Sequence, residues 1–217
     1  EKGLARLRDI LEEVGSKPTF VPVPGNHDVE RPGAHEVSRT LDHLISGDSD
    51  AIDELMDRKQ HLRGQIDRAF RNYTSWLQDS SLPFPHDQVA STQEHLGQIA
   101  LSIEGQGIRV GVFGLNTALV QLTSDVDRER LWVNHRLVDA VLPSGIEPWL
   151  ANHDAALLLM HHSPAWLSPD SRQELFTRIA TLGDFDAILC GRSHLHDERL
   201  NIWSRPLILQ TPGSPRQ

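Results

Sequence analysis

A second cysteine, a long hydrophobic run and an excess of basic charge are what this 217-residue sequence lacks. With Cys190 as its only cysteine, no disulfide can close within the chain, which suits a reducing compartment and makes cytoplasm the default location. No stretch approaches the roughly 18 consecutive apolar residues of a membrane span, and no basic, apolar leader stands at the start, so no membrane association is expected. Lys and Arg number 21 against 30 Asp and Glu, and the net charge of -9 argues against a broad electrostatic footprint for nucleic acid or an anionic membrane. Met occurs only at Met56 and Met160 while Glu1 stands first, so a fragment or processed chain is expected. Also missing is any Gly-x-Ser-x-Gly elbow, and Cys190 sits at the end of an apolar run, which leaves serine or cysteine nucleophile chemistry without support.

What is present is 38% hydrophobic and 24% charged, enough for one globular domain over residues 1–217. Leu4, Leu7, Ile10, Leu11 and Val14 recur at helical steps and predict an amphipathic helix ending near Gly15. Residues 19–23 read as a short strand closed by Pro24-Gly25. Ile52, Leu55, Leu62, Ile66, Phe70, Tyr73 and Leu77 mark a mostly helical insertion within residues 35–86. Alternation on both sides of Gly105-Gln106-Gly107 predicts a β-hairpin over 98–113. Helices are expected over 126–141 and 146–153, and buried strands over 155–160, 187–190 and 206–210. Ser171 with Glu174 has capping-box spacing at the head of a further helix. Strands alternating with helices indicate an α/β layered domain.

Three of these apolar segments run straight into a polar cluster with histidine: Gly25-Asn26-His27-Asp28, His161-His162-Ser163-Pro164, and Gly191-Arg192-Ser193-His194-Leu195-His196. Ligands at the C-terminal ends of neighbouring strands converge on one crevice. In the first cluster Gly25 permits a sharp turn, Asn26 is a neutral oxygen ligand, His27 suits proton donation to a departing alkoxide, and Asp28 can orient that imidazole. Imidazole is a common ligand for borderline metals, which fits His161 and His162, and the one-residue gap between His194 and His196 lets both face one site. Alone, each cluster has a blander reading: an Asx turn, a structural histidine pair, a solvated loop. The remaining seven histidines, His135 and His153 among them, read as solvated surface residues.

Taken in order, Gly25-Asn26-His27-Asp28, His161 with Pro164, and Gly191 followed by a His-x-His element resemble the last three motifs of the calcineurin-like metallophosphoesterases. The longer Gly25-Asn26-His27-Asp28-Val29-Glu30-Arg31 run, the helical insertion, and Gly114-Leu115-Asn116-Thr117 resemble a bacterial branch whose domain is often joined to signalling or effector modules. The resemblance implies a four-layer α/β/β/α sandwich that here lacks its first strands. It implies two divalent metal ions, manganese, iron or zinc, held by Asn26, His161, His194 and His196. His27 would be the catalytic acid with Asp28 beside it, and Arg192 and His162 would contact the substrate, a phosphate monoester or diester with nucleotides among the candidates.

Two departures stand out. The Asp-x-His and Gly-Asp motifs that the family places upstream are absent, so this chain alone is not expected to assemble a competent dinuclear centre. An ungapped match also puts Arg192 where the first His of the last motif belongs and makes His194 the second; a short insertion instead makes His194 and His196 the pair. The alternative is therefore a degenerate, inactive module of the same fold with a binding or regulatory role. An unrelated zinc hydrolase of the metallo-β-lactamase kind would need a His-x-His-x-Asp-His run, which does not occur.

Overall fold

The hairpin forms because Gln106 and Gly107 adopt positive φ values of 52° and 80°, the mirror-image two-residue turn whose twist matches that of paired strands. In the computed structural model, which describes residues 2–31, 38–84, 96–122, 129–181, 183–193 and 207–212, this turn joins β1 (Ile99–Gly105) to β2 (Ile108–Leu115). The two strands are antiparallel, with Gly105 opposite Ile108 and Ile99 opposite Gly114. β3 (Ala155–Met160), β4 (Ala187–Ser193) and β5 (Leu207–Pro212) then add in parallel, giving one five-stranded sheet in the order β1-β2-β3-β4-β5. The chain is thus a mixed α/β protein with a mostly parallel sheet.

Eight α-helices are described: α1 (Lys2–Glu13), α2 (Ser38–Ile45), α3 (Ser49–Met56), α4 (His61–Ala69), α5 (Arg71–Asp79), α6 (His135–Val141), α7 (Ile146–Leu150) and α8 (Pro169–Glu174). Helices α6 and α7 lie between the parallel strands β2 and β3, and α8 between β3 and β4, a connection that places helices against a face of the sheet. The main core agrees: Phe113, Leu115, Leu158, Met160 and Ile188 share one cluster with Leu137, Val138, Leu175 and Ile179 from the helical segments. Phe113 and Leu158 are fully buried, each contributing about 1.5–3 kcal/mol. The other face carries a small cluster of Ile99, Leu101 and Val112 with half-buried Val21, Val110 and Leu159. β3 alternates between half-buried and buried residues, so this central strand is fully covered on one face only.

The spacing over residues 52–77 is helical as expected, divided among α3, α4 and α5, and each of its seven apolar markers is buried. α1 also forms, although its Leu4, Leu7 and Ile10 stay 37–49% exposed. Other expectations need correction. Residues 19–23 run extended without joining the sheet: Pro22 has no N–H to give, the Phe20 N–H donates to the Pro83 carbonyl, and Tyr73 Oη donates to the Pro22 carbonyl at 3.3 Å. Of the helix expected over 126–141, residues 126–128 lie outside the described residues and 129–134 are not helical; α6 starts at His135, because Asn134 caps it through the Arg136 N–H while Leu131 bridges to Leu167. α7 stops at Leu150, short of the expected 153.

The capping box is displaced as well. Ser168 is the N-cap of α8, accepting from the Ser171 N–H, with Pro169 in the first turn where its missing N–H costs nothing. Ser171 lies inside the helix and accepts instead from the Val133 N–H at 3.1 Å. After α8 the chain widens into a π-helical turn over Leu175–Ile179. Replacing Ser168 by Ala is expected to cost about 1 kcal/mol through loss of the cap, seen in thermal unfolding as a midpoint lowered by about 3 °C.

Candidate functional site

β3 and β4 are paired with Met160 opposite Cys190, so His161, directly after β3, comes out beside Gly191 of β4 at the C-terminal edge of the sheet. The 25–28 turn meets them there. It is closed twice, by the Asp28 N–H donating to the Gly25 carbonyl at 3.1 Å and by the Gly25 N–H donating to Asp28 Oδ2 at 2.8 Å. Inside it Asn26 is buried, while His27 and Asp28 are exposed. His161 Nε2–H donates to Asn26 Oδ1 at 3.0 Å across a separation of 135 residues. Two of the residues singled out in the sequence are therefore in direct contact.

That contact depends on missing side chains. A Cβ on Gly25 would lie 2.6–2.8 Å from three atoms of the His161 ring, and one on Gly191 would lie 3.0 Å from the His161 carbonyl oxygen. Gly25 is thus required by close approach and not by an unusual φ. Helices α4 and α5 hold the far side of the turn: the Glu30 N–H donates to the Ala69 carbonyl at 2.8 Å, and Tyr73 reaches Pro22. Burial, and then the Asp28 charge, push the Tyr73 hydroxyl well above its ordinary pKa, so it stays a protonated donor.

Asp28 was expected to orient His27, but its carboxylate is engaged with the Gly25 N–H and shapes the turn instead. His162, expected to touch substrate, is fully buried. Its backbone N–H donates to Thr117 Oγ1 at 3.1 Å, and its Nδ1 lies 2.9 Å from the same oxygen. Its ring stands edge-on to that of His161, with centroids 4.6 Å apart at 88°. His194 and His196 lie outside the described residues, as does the side chain of Arg192, although the backbone of β4 passes through Arg192 at this same edge. Among the described residues no group of three His, Cys, Asp or Glu side chains is placed to hold a metal.

Thr117 is the residue whose part the sequence reading missed; its signal is the polar Asn116-Thr117 pair directly after the apolar β2. Asn116 is buried and locked, with its N–H on Gln98 Oε1 at 2.5 Å, its Nδ2 on the Leu96 carbonyl at 2.8 Å, and its Oδ1 accepting from the Ala118 N–H at 2.8 Å.

Two histidines expected to be solvated are engaged elsewhere. His135 Nδ1 bonds Glu174, and His153 bridges Ser102 Oγ and the Trp149 carbonyl, each at 2.7 Å. At the opposite end of the strands an open hollow is lined by Asp154, Asp184 and Asp186, whose carboxylates accept the Arg109, Thr181 and Ala156 N–H groups respectively. They serve the backbone there.

No protein-family model, no curated protein and no solved structure matches this chain.

Packing and burial at the sheet edge set three expected outcomes. Gly25→Ala should lower stability by about 2 kcal/mol through overpacking and break the Asn26–His161 bond, which thermal unfolding and the histidine ring NMR signals of the variant would report. Burial raises the Cys190 thiol from 9.0 to about 11, so alkylation of the folded protein should be negligible near pH 8 and rise only as the pH approaches 11. The native state holds this proton more tightly than the unfolded one, so the Cys190 contribution to stability should fall as pH rises from 9 to 11.

Proposed function

We propose that this chain is part of a metal-dependent phosphoesterase whose site lies where the 25–28 turn meets the C-terminal ends of β3 and β4. The observation that carries the reading is the contact of Asn26 Oδ1 with His161 Nε2 at 3.0 Å. An amide oxygen and an imidazole nitrogen, both neutral and held by packing, form a donor pair suited to a borderline divalent cation. Two donors about 2.1 Å from one cation and at right angles around it stand about 3.0 Å apart, so the pair fits without rearrangement beyond a change of tautomer that moves the imidazole proton from Nε2 to Nδ1. With His194 or His196 added from the segment after β4, the set becomes the one that the resemblance to calcineurin-like phosphoesterases implies. The half-covered second face of the sheet is where the other sheet of a four-layer sandwich would pack.

When bound, the metal pair would polarise the phosphate and supply a hydroxide nucleophile. The protein's own residues then have separable tasks. Asn26 and His161 hold and orient. His27, exposed at the tip of the turn, can reach a leaving-group oxygen and give it a proton. Asp28 keeps the turn closed so that His27 projects from it.

The test is manganese-dependent hydrolysis of bis(p-nitrophenyl) phosphate by the full-length gene product that contains this chain. Turnover abolished by chelator is expected, and His27→Ala should reduce it by about 100-fold with bound metal unchanged. Bound metal without turnover would instead identify a degenerate binding module, and unchanged turnover in the variant would remove His27 from the mechanism.

A further inference from the structure

We propose that Thr117 is a positioning residue: its hydroxyl fixes His162, and the His162 ring holds the His161 imidazole against Asn26. What His161 does rests on the metal reading above; how it is held rests on geometry alone.

His161 leaves β3 with its ring between two surfaces. On one side Gly25 offers no side chain, and on the other the buried ring of His162 stands edge-on at 4.6 Å. Movement toward Gly25 is blocked by backbone, so the ring's orientation is set by where His162 stands. His162, whose ring also lies 5.8 Å from that of Trp166, is in turn held at two of its groups by one oxygen. Thr117 Oγ1 meets both its backbone N–H at 3.1 Å and its Nδ1 at 2.9 Å, so one hydroxyl sets the peptide and the ring together. Both residues are fully buried, which removes water as a competitor and makes the loss of either bond costly.

The hydroxyl is itself well anchored. Its β-branched side chain is stiff at χ1, and the preceding Asn116 ties the end of β2 to Leu96 and Gln98. An unbroken series of contacts therefore runs from Leu96 and Gln98 through Asn116, Thr117, His162 and His161 to Asn26. Outer partners of this kind set the orientation of a ligating imidazole, and their loss costs metal affinity about 10–100-fold.

The test compares Thr117→Val, which keeps shape and removes the hydroxyl, with Thr117→Ser, which keeps the hydroxyl. Imidazole proton–nitrogen correlation spectra of the metal-free 217-residue protein report the His161 ring, assigned with His161→Gln. Wild-type protein should show a protonated Nε2 in slow exchange. Valine should shift that signal and speed its exchange by about tenfold, while serine should leave both near wild type. A valine variant with an unchanged His161 signal, or serine and valine variants altered alike, overturns the proposal. If valine prevents folding, Thr117→Cys, with a similar size and a much weaker hydrogen-bonding group, carries the same comparison. Manganese titration of the full-length product then separates the two claims. Absence of binding by the wild type defeats the metal reading, whereas the ring signals still decide the role of Thr117.

Discussion

The ring of His161 can stand where it does only because residue 25 has no side chain. A Cβ there would come within 2.6 Å of Nδ1, and relief would require displacing either β3 or the turn. Both are fixed by unrelated parts of the molecule. β3 is the middle strand of the sheet, paired to β2 and β4 and packed through Leu158 and Met160 into the main core. The turn is held from behind by α4 and α5, through the Ala69 carbonyl and the Tyr73 hydroxyl. Helices α4 and α5 thus hold the 22–30 segment toward the sheet edge where Asn26 meets His161. Core burial supplies the stability, and the close approach turns it into placement of two donor atoms.

How much of this can be read in the sequence depends on whether local chemistry or long-range bonding decides each element. The hairpin is legible because its turn residues and its period-2 alternation agree. The helices of residues 49–79 are legible because every apolar position in the pattern is also a core position. Residues 19–23 mislead: their β-rich composition is real, but Pro22 lacks an N–H and bonds to Pro83 and Tyr73 take backbone groups a strand would use. At α8, a serine preceding proline prevails over a serine with the right spacing to a glutamate, because proline fits the first helical turn and Glu174 is drawn to His135 on another helix.

The site divides along the same line. Asn26 and His161 are visible because of their residue types and the apolar run that precedes each polar cluster; for His161 that run is β3, for Asn26 it is not a strand. His162 is placed differently from His161: at the bend after β3 the two rings touch edge-on, but the His162 ring turns inward and is fully buried while the His161 ring reaches Asn26. Once inward, a polar ring needs a partner, and that partner is a threonine 45 residues earlier. No local pattern announces such a pairing, because a neutral hydroxyl after a strand is ordinary until the fold brings an imidazole to it.

Charge links this geometry to the substrate class. The chain carries a net charge of -9, and Arg71, the cation closest in sequence to α5's contact with the turn, is paired with Glu30 at 3.4 Å. Arg130 and Arg136 are likewise paired, with Asp42 and Asp53. An anionic ester approaching such a surface meets little long-range attraction, and a polyanion spanning many residues meets net repulsion. Attraction must then be local and strong at short range. On the proposed metal reading, an amide oxygen and an imidazole nitrogen are uncharged ligands, so a divalent cation held by Asn26 and His161 would keep its charge for the phosphate, which carboxylate ligands would partly cancel. On that reading an uncharged ligand pair on an acidic protein would favour a compact phosphate ester that can reach the sheet edge over an extended nucleic acid that must also cover the acidic surface around it.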